Sequence, residues 1–243
     1  MEWSDSAVIL AVEKYGEHHA LVDLLAHTHG RWRGLVRGGS GRRMAGLLQP
    51  GNTVTARWRA RLESQLGNFT LEAQRARAGE VMGDAPRLAG LSAACATLTV
   101  VLPEREEHPA VSQALSHVLD LLLDPAMDRT DWGAALVRLE LGTLGELGYG
   151  LDLARCAATG TSEDLVYVSP RSGRAVSAAA GHPYRDKLLA LPPFLLGRQA
   201  PSPDHAEVRQ GLELTGFFLD RHLLAPHDRH LPPARRRLTA LFR

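Results

Sequence analysis

The chain has 243 residues, 44% of them hydrophobic, which is enough for two or three compact units with real cores. It carries no run of about 18 uncharged apolar residues, no secretory pattern at its start and only two cysteines far apart, so we expect a soluble cytoplasmic protein without disulfides or membrane spans. The formal net charge of +1 conceals a polarised chain, with +4 over residues 1–79, −7 over 80–150 and +4 over 151–243.

The first 79 residues predict a small β-barrel. Alternating and β-branched runs indicate strands over 7–12, 20–25, 31–37, 53–61 and 69–73, and glycines at 38, 39 and 41 indicate a mobile loop. Five strands in about 75 residues are too few for a sandwich and favour a barrel of the OB type. We therefore predict an OB-fold domain over residues 1–79.

From residue 80 the spacing of apolar residues becomes helical. Helices are predicted over 85–102, over 111–123 and from Thr130 or Asp131 to 147, where Gly148 is available as a left-handed terminator. Gly142 and Gly145 lie inside the third helix, which indicates close packing against another element. This stretch, 80–150, is the first part of a predicted helical domain.

The last third of the chain predicts a hairpin followed by more helices. Short strands over 166–168 and 175–177 form the hairpin, within an insertion at 151–182. Helical patterns over 184–190 and 204–224 and a basic end after Pro233 complete the helical domain, 183–243. The predicted fold class is therefore α+β.

Clustered arginines are the main candidate site. Ten arginines stand against two acids between residues 28 and 79, an excess that favours a polyanionic partner. Arginines also line ordinary solvated strand faces, and Trp58, which alternates with arginines, suits core packing better than base stacking. The candidate DNA-binding residues are Arg31, Trp32, Arg33, Arg37, Arg42, Arg43, Arg57, Arg59, Arg61, Arg235, Arg236 and Arg237.

Several sequence pieces, in their order and spacing, resemble the RecO family along nearly the whole chain. In the first half they are residues 21–25 followed by His29-Gly30-Arg31, then Val36-Arg37-Gly38 and residues 47–50. In the second half they are residues 138–150, which run directly into 151–156. The resemblance implies an OB barrel, a helical body and a small zinc-ribbon-like insertion.

The resemblance also implies a role in DNA repair and recombination after DNA damage. A RecO-like protein would be a non-enzymatic recombination mediator of the RecF-type pathway, acting at double-strand breaks and gaps. It would help to load recombinase on single-stranded DNA coated with single-strand binding protein (SSB), and it would anneal complementary strands. The implied partners are single-stranded and double-stranded DNA, RecR, the SSB C-terminal tail, a RecF-like protein and the recombinase filament, with a nucleoid-associated location in the cytoplasm.

The zinc ribbon is where this sequence departs from the family. Many members place two Cys-x-x-Cys pairs there, whereas the matching positions here are Cys156, Thr159, Ser177 and Ala180. Because one thiolate cannot hold structural zinc, we predict a metal-free hairpin held by Leu165, Val166, Val168 and Val176, and a protein without cofactors.

Three alternatives remain open from the sequence. Arg138 on the third helix could hold an acidic peptide such as the SSB tail, or it could form a structural salt bridge, for example with Glu140. The protein could be a plain single-stranded-DNA-binding OB protein without mediator activity. A metal-dependent nuclease would have to use His222, His227 and Asp228, which lack the spacing of a hydrolytic metal site.

Overall fold

The computed structural model describes residues 1–197 and 202–243, apart from the side chain of Arg43. The described chain forms two compact units, Met1–Pro125 and Ala126–Arg243. This division falls later than the change of element type near residue 79, because the first two long helices belong to the same unit as the strands. The predicted domain boundaries stay a prediction. None of the helices among the described residues has the length and apolar character that crossing a bilayer requires.

Five strands of the first unit close into a barrel. They are β1 (Glu2–Tyr15), β2 (His19–Ala26), β3 (Gly30–Val36), β4 (Thr53–Arg59) and β5 (Asn68–Arg75). Their order around the barrel is β1-β2-β3-β5-β4, and the pairs are antiparallel except for β3 with β5. This five-stranded architecture is consistent with the OB-type barrel predicted from the sequence. Strand β1 is longer than predicted and begins at Glu2.

The barrel interior is built from the inward side chains of alternating strand residues. On β4, Val54, Ala56 and Trp58 are buried, while Arg57 and Arg59, on the two sides of Trp58, are exposed. Trp58 is 1% exposed, so the prediction that it packs in the core is confirmed. A bulge in β1 between Ile9 and Ala11 interrupts its register with β2. Such a bulge bends the strand and helps it pair with both neighbours of a small barrel.

Short and long helices complete the first unit. They are α1 (Arg42–Ala45), α2 (Arg77–Glu80), α3 (Ala85–Val101) and α4 (Pro109–Leu123). The Asp84 side chain caps α3 by accepting a 3.0 Å bond from the Arg87 backbone N–H, and α3 packs against β1. The buried Arg77 guanidinium lies 3.0 Å from Asp120 of α4 and also donates to the Thr53 hydroxyl. This arginine therefore links the end of the barrel to α4.

The second unit combines helices with a small sheet. Its elements are α5 (Arg129–Glu146), β6 (Leu165–Val168), β7 (Ala175–Ser177), α6 (Ala178–Gly181), β8 (Leu189–Ala190), α7 (His205–Leu219) and α8 (Pro233–Ala240). Short 3₁₀ turns cover His182–Lys187, Pro193–Leu195 and Ala225–His227, and a π turn covers Asp220–Leu224. Helix α5 begins with an Asp128 cap whose box includes Asp131, and Gly148 after it has a φ of +86°, as predicted.

The predicted hairpin is confirmed, but the helix predicted over 184–190 is wrong. Strands β6 and β7 pair in an antiparallel hairpin, with Leu165, Val168 and Val176 buried. The sheet has the order β7-β6-β8, because Leu189 and Ala190 pair with β6 instead of continuing a helix. Two prolines directly follow at 192 and 193, and proline disfavours helix in the residue before it.

Close packing of α5 on α7 occurs at glycines other than those predicted. A Cβ on Gly142 or Gly145 would meet nothing within 4 Å among the described atoms, so the expectation of close contacts there is wrong. Instead, a Cβ on Gly133 would lie 2.8 Å from Val208, and one on Gly211 would lie 3.0 Å from Val137. The two helices approach each other through one glycine on each, at these positions.

A buried ion pair fixes α8 in the second unit. The Arg235 guanidinium donates from Nε to Glu140 Oε1 at 2.5 Å and from NH2 to Oε2 at 2.9 Å. It also donates to the Leu212 carbonyl at 2.7 Å and the Thr239 hydroxyl at 2.6 Å, while Thr215 donates to Glu140 at 2.5 Å. Arg235 is 1% exposed, so its prediction as a DNA contact is corrected: this side chain is an interior structural residue.

The Arg235→Met variant tests the structural role of this pair. Removing one partner leaves the Glu140 carboxylate buried without its counter-charge, which typically costs about 3–5 kcal/mol. We expect a lower urea midpoint and a lower melting temperature. Arg236→Met, one position along on the exposed side of α8, is the matched control and should change stability by no more than about 0.5 kcal/mol. Equal midpoints for the two variants would contradict the structural role.

Candidate nucleic-acid interface

Three exposed arginines of the barrel gather in one cleft. The cleft has a volume of about 380 Å³, and we call it the arginine cleft. Arg57 and Arg59 point outward from β4, and Arg37 follows the end of β3. The Arg37 Nε donates to the Asn68 side-chain oxygen at 3.1 Å, which orients this guanidinium. The lining residues are Glu2, Arg37, Arg57, Arg59, Asn68 and Thr70.

Strand pairing brings the cleft residues together. Across β4 and β5, Arg57 faces Thr70 and Arg59 faces Asn68, and on the other side of β4 Glu2 of β1 faces Arg59. Because residues two apart on a strand share a face, the two β4 arginines present parallel side chains to the same surface. The closed barrel therefore positions cationic and neutral polar groups from four strands or strand ends.

The cleft is electropositive and open to solvent. It contains three guanidinium groups and one carboxylate, that of Glu2. The Arg57 Nε lies 3.9 Å from Glu2 Oε1, and their side chains are 62% and 52% exposed. An ion pair this long and this exposed contributes little, so a phosphate can replace the carboxylate at small cost. Chemically, the cleft suits a phosphodiester backbone: arginine offers charge and several donors, and Asn68 and Thr70 add neutral ones.

The glycine-rich loop contacts the turn between β1 and β2. Ser40 donates through its hydroxyl to the Glu17 carbonyl at 2.8 Å and through its N–H to the His18 carbonyl at 3.3 Å. The mobility of this loop stays a prediction. Arg42 opens α1 and is exposed, and Arg61 is exposed after β4. The side chain of Arg43 lies outside the described part of the chain.

Arg31 and Arg33 are engaged by acids within the unit. The Arg31 guanidinium donates to Asp23 at 2.6 Å and to the Leu102 carbonyl at 2.9 Å, and its side chain is only 11% exposed. The Arg33 guanidinium lies 2.5 Å from Glu13. Burial raises the pKa of Asp23, and the two arginines offset this effect only in part. The prediction that both arginines face DNA is therefore corrected: they serve mainly as structural partners of carboxylates.

Trp32 is not an exposed stacking surface beside the arginines. It is 4% exposed and lies inside the barrel end, where its ring meets Trp58 edge-on at 5.0 Å between centroids. Trp32, a candidate DNA-binding residue, is instead a side chain of the barrel interior, since strand alternation directs it inward while Arg31 and Arg33 flank it.

In the second unit, the two remaining basic end residues are exposed. Arg236 and Arg237 lie on α8 between the buried positions 235 and 238. Arg138 of α5 is also exposed; it donates to the Phe194 carbonyl at 3.1 Å, and its Cζ lies 5.3 Å from the Phe194 ring centroid. The Glu140 carboxylate is bound by Arg235, so the suggested salt bridge between Arg138 and Glu140 is not formed.

The four positions that match the family's zinc ligands lie around the hairpin. The Cys156 sulfur accepts bonds from the Ser177 N–H at 3.3 Å and the Ser177 hydroxyl at 3.4 Å. Burial raises the pKa of this thiol, but hydrogen bonds from Ser177 and Thr159 outweigh burial and lower the pKa to about 6. Ala180 offers no ligand atom. Serine donors thus stabilise the sulfur where a metal would be bound in a complete zinc ribbon.

The histidines near the end of the second unit form aromatic contacts. The His222 ring stacks on Tyr149 at 4.9 Å and on Phe218 at 5.9 Å. Within residues 1–197 and 202–243, no three His, Cys, Asp or Glu side chains are grouped to hold a metal ion. The structure gives the nuclease alternative no assembled site in this range.

Sequence reasoning missed the contribution of β1 and β5 to the cleft. Glu2, Asn68 and Thr70 line it, but none was a candidate. The signal for the start of β1 was weak, because Trp3 is the one apolar residue between Glu2 and Ser6 and no alternation is visible there. The signal for Asn68 and Thr70 was only their place in a strand next to an arginine-bearing one.

Comparisons with known proteins agree over the whole chain. The family model for the N-terminal part of recombination protein O matches residues 1–74, and the model for its C-terminal part matches residues 82–231. The protein named DNA repair protein RecO of Rhodospirillum centenum is 51% identical over 245 residues, covering 100% of this chain and 95% of that protein. The proteins of that name in Methylobacterium nodulans and Caulobacter vibrioides are each 48% identical, covering 99% and 97% of this chain and 98% and 95% of their own lengths. The chain belongs to the RecO family.

Proposed function

We propose that this chain is a DNA-binding recombination mediator in DNA repair, helping to load recombinase on SSB-coated single strands and annealing complementary strands. The observation that carries the proposal is the arginine cleft, where Arg37, Arg57 and Arg59 face solvent together on the barrel. The relatives named DNA repair protein RecO support a role in DNA repair. No bond is made or broken in this role, so we propose a protein that is not an enzyme.

The mechanism we propose is neutralisation of backbone charge. Two DNA strands, or a strand and a nucleoprotein filament, repel each other through their phosphates until cations intervene. Guanidinium groups on an open strand face can contact phosphates without reading bases, which suits a mediator that acts on any sequence. The same contacts release counterions, so binding should weaken steeply as salt rises. Exposed Arg42 and Arg61 would extend this surface.

Partner proteins form the second part of the proposal. We assign RecR, a RecF-like protein and the recombinase filament as partners on the family resemblance, and the protein would act at the nucleoid. For the SSB tail the supporting observation is local: Arg138 is exposed and packs over the Phe194 ring. A cation beside an aromatic ring can hold a peptide that ends in an acidic, aromatic sequence.

We also propose that the hairpin of β6 and β7 is a degenerate zinc ribbon that needs no cofactor. The contacts that support this are the buried Leu165, Val168 and Val176 and the hydrogen bonds from Ser177 to Cys156. Apolar burial of this kind can stabilise a short hairpin that a metal would otherwise hold.

Alanine substitution of the cleft arginines tests DNA binding. In the triple variant Arg37→Ala, Arg57→Ala, Arg59→Ala, each lost single-strand phosphate contact should lower the salt slope of log K by about 0.7, or by roughly 2 for three contacts. Fluorescence anisotropy with a labelled oligonucleotide at several salt concentrations measures this slope. The matched control removes three exposed arginines of the second unit, Arg171→Ala, Arg185→Ala and Arg229→Ala. Equal salt slopes for the two triple variants would contradict DNA binding by the arginine cleft.

The same two triples separate a mediator from a plain single-strand binder. We expect the cleft triple to slow annealing of SSB-coated complementary oligonucleotides, and the control triple to anneal at the wild-type rate. Annealing can be followed by energy transfer between dyes on the two strands. A wild-type protein that binds single strands but never accelerates annealing would support the plain single-strand-binding alternative.

The Arg138→Ala variant tests the peptide site. Hydrogen bonds to charged groups are worth about 1.5–3 kcal/mol, so we expect affinity for the SSB tail peptide to fall by roughly tenfold or more. Isothermal titration calorimetry measures this change, with Arg229→Ala, an exposed arginine of the second unit, as control. Unchanged affinity in the Arg138 variant would place the peptide elsewhere.

Titration of the Cys156 thiol tests whether the hairpin of β6 and β7 is free of metal. Burial raises the pKa of the other cysteine, Cys95, to about 12, so absorbance of thiolate at 240 nm below pH 9 should come from Cys156 alone. We expect this absorbance to appear with a midpoint near pH 6, and Ser177→Ala to move the midpoint upward because it removes a donor. Stoichiometric zinc in the purified protein, found by metal analysis, would contradict the proposal.

A further inference from the structure

A second pocket lies at the end of the barrel next to the arginine cleft. Its volume is about 310 Å³, and we call it the tryptophan pocket. Three of the four tryptophans in the chain line it, together with His29 and Arg105. The carboxylate-bearing residues of its lining are Glu2, Glu63 and Glu107.

The walls of the tryptophan pocket are aromatic rings in mutual contact. Trp3 lies parallel to Trp58 within 20° at 6.2 Å between centroids, and edge-on to Trp32 at 5.4 Å. The His29 ring also stacks on Trp3, at 4.4 Å between centroids. Such a cluster offers flat apolar surface and favours a flat ring as ligand.

Two indole N–H groups of the tryptophan pocket have no acceptor. Trp58 Nε1 donates to the Leu66 carbonyl at 3.0 Å. Nε1 of Trp3 and Nε1 of Trp32 are buried and bond to nothing in the described parts of the chain. A buried donor without a partner is costly and uncommon in native proteins. A ligand with hydrogen-bond acceptors could satisfy both groups.

One residue that lines the tryptophan pocket, Arg105, has a strained backbone. Arg105 has a φ of +64°, a left-handed conformation that non-glycine residues adopt rarely. Its N–H donates to the Arg31 carbonyl at 2.7 Å, and its guanidinium lies 4.8 Å from the Trp32 ring centroid and donates to the Glu63 and Gln65 carbonyls. Strained residues held by several contacts cluster at ligand sites, which supports a binding role for this pocket.

We propose that the tryptophan pocket receives one unpaired nucleobase of a DNA strand whose phosphates lie in the arginine cleft. This inference rests on the proposed function and defines its substrate as a single strand with an accessible base. The two sites adjoin, because Glu2 lines both of them. They are also joined by strand register, since Glu2 pairs with Arg59 and the next residue, Trp3, pairs with Trp58.

The chemistry of the lining favours a neutral base over a phosphate or a cation. Three carboxylates stand against two cations, the Arg105 guanidinium and the Met1 ammonium, so the lining has no excess of positive charge to attract a phosphate. A cation would offer no acceptor to the indole N–H groups of Trp3 and Trp32 and would face Arg105. A base has ring nitrogens and carbonyl oxygens that accept, and cytosine, adenine and guanine carry an exocyclic amine that can donate to a carboxylate. Thymine lacks that amine, so we expect it to bind more weakly.

Abasic DNA tests the tryptophan pocket in the full-length protein. We compare oligo-dC, oligo-dT and an abasic oligonucleotide of equal length and charge by anisotropy and by intrinsic tryptophan fluorescence. Stacking of one base is worth about 1–3 kcal/mol, which corresponds to roughly 5- to 150-fold in affinity. We therefore expect the abasic strand to bind at least about fivefold more weakly than oligo-dC and to leave the fluorescence unchanged, while oligo-dC quenches it.

Carboxylate variants test base preference without disturbing the core. In Glu63→Gln with Glu107→Gln, both exposed, we expect the dC-to-dT affinity ratio to fall toward one, because Glu2 is then the one carboxylate left in the described lining. The matched control, Glu17→Gln with Glu72→Gln, removes two exposed acids outside the tryptophan pocket and should keep the wild-type ratio.

Several outcomes would overturn the pocket assignment. Equal binding and equal quenching by oligo-dC and the abasic strand would remove the base site, while a steep salt slope would leave the arginine cleft and the proposed function intact. Saturable quenching by N-acetyl-arginine amide in place of DNA would reassign the pocket to a cationic side chain of a protein partner. Absence of binding to every oligonucleotide would overturn the inference and the proposed function together.

Discussion

The pairing of β1 with β4 is the constraint on which both sites depend. In this register Glu2 faces Arg59, Trp3 faces Trp58 and Ser4 faces Arg57. The Met1 ammonium and carbonyl extend the ladder by bonding to the Ala60 carbonyl at 2.7 Å and N–H at 3.0 Å. A slip of one residue would turn every side chain of a strand to its other face, placing arginines in the core and tryptophans in solvent. Burying unpaired guanidinium groups costs free energy, and this cost disfavours a shifted pairing of β1 with β4.

The charge asymmetry of the sequence is resolved largely within the first unit. Acids that follow the barrel in sequence pair with arginines of the barrel: Glu104 lies 3.2 Å from Arg31, and Asp120 lies 2.8 Å from Arg75 and 3.0 Å from Arg77. The excess of arginines in the sequence therefore predicts a larger cationic surface than the structure has. The arginine cleft differs from these paired sites because its carboxylate, Glu2, is exposed and lies 3.9 Å from the nearest paired atom, Arg57 Nε.

Local alternation made part of the candidate site predictable. The order of Arg57, Trp58 and Arg59 assigns one face to the core and the other to solvent, and the structure confirms that division. Alternation does not reveal which residues face each other across strands. Arg33 pairs in register with Asp23, and such a partnership depends on a register that a single sequence does not give. For this reason Arg31 and Arg33 could not be separated from Arg57 and Arg59 in advance.

Contacts between distant parts of the chain were beyond sequence reasoning. Arg235 and Arg236 stand side by side in a basic run, yet one is buried against Glu140, 95 positions earlier, and the other is exposed. The same holds for strand β8, whose two residues continue an apparently helical pattern but complete a sheet begun by β6. In both cases tertiary partners outweigh local propensity, which is a weak preference of under about 1 kcal/mol per residue.

Glu2 gives a physical reason for the arginine cleft and the tryptophan pocket to act together. Its carboxylate is the only acid lining the cleft among the described residues, and it also lines the pocket. A phosphate that approaches Arg57 competes with Glu2 for that guanidinium, so it leaves the carboxylate free to accept a bond from a base amine. Paired bases in a duplex remain stacked and cannot enter the pocket, since extrusion costs a few kcal/mol. On this reasoning a duplex occupies the cleft alone, whereas a single strand uses both sites, and this difference would direct a mediator toward gaps.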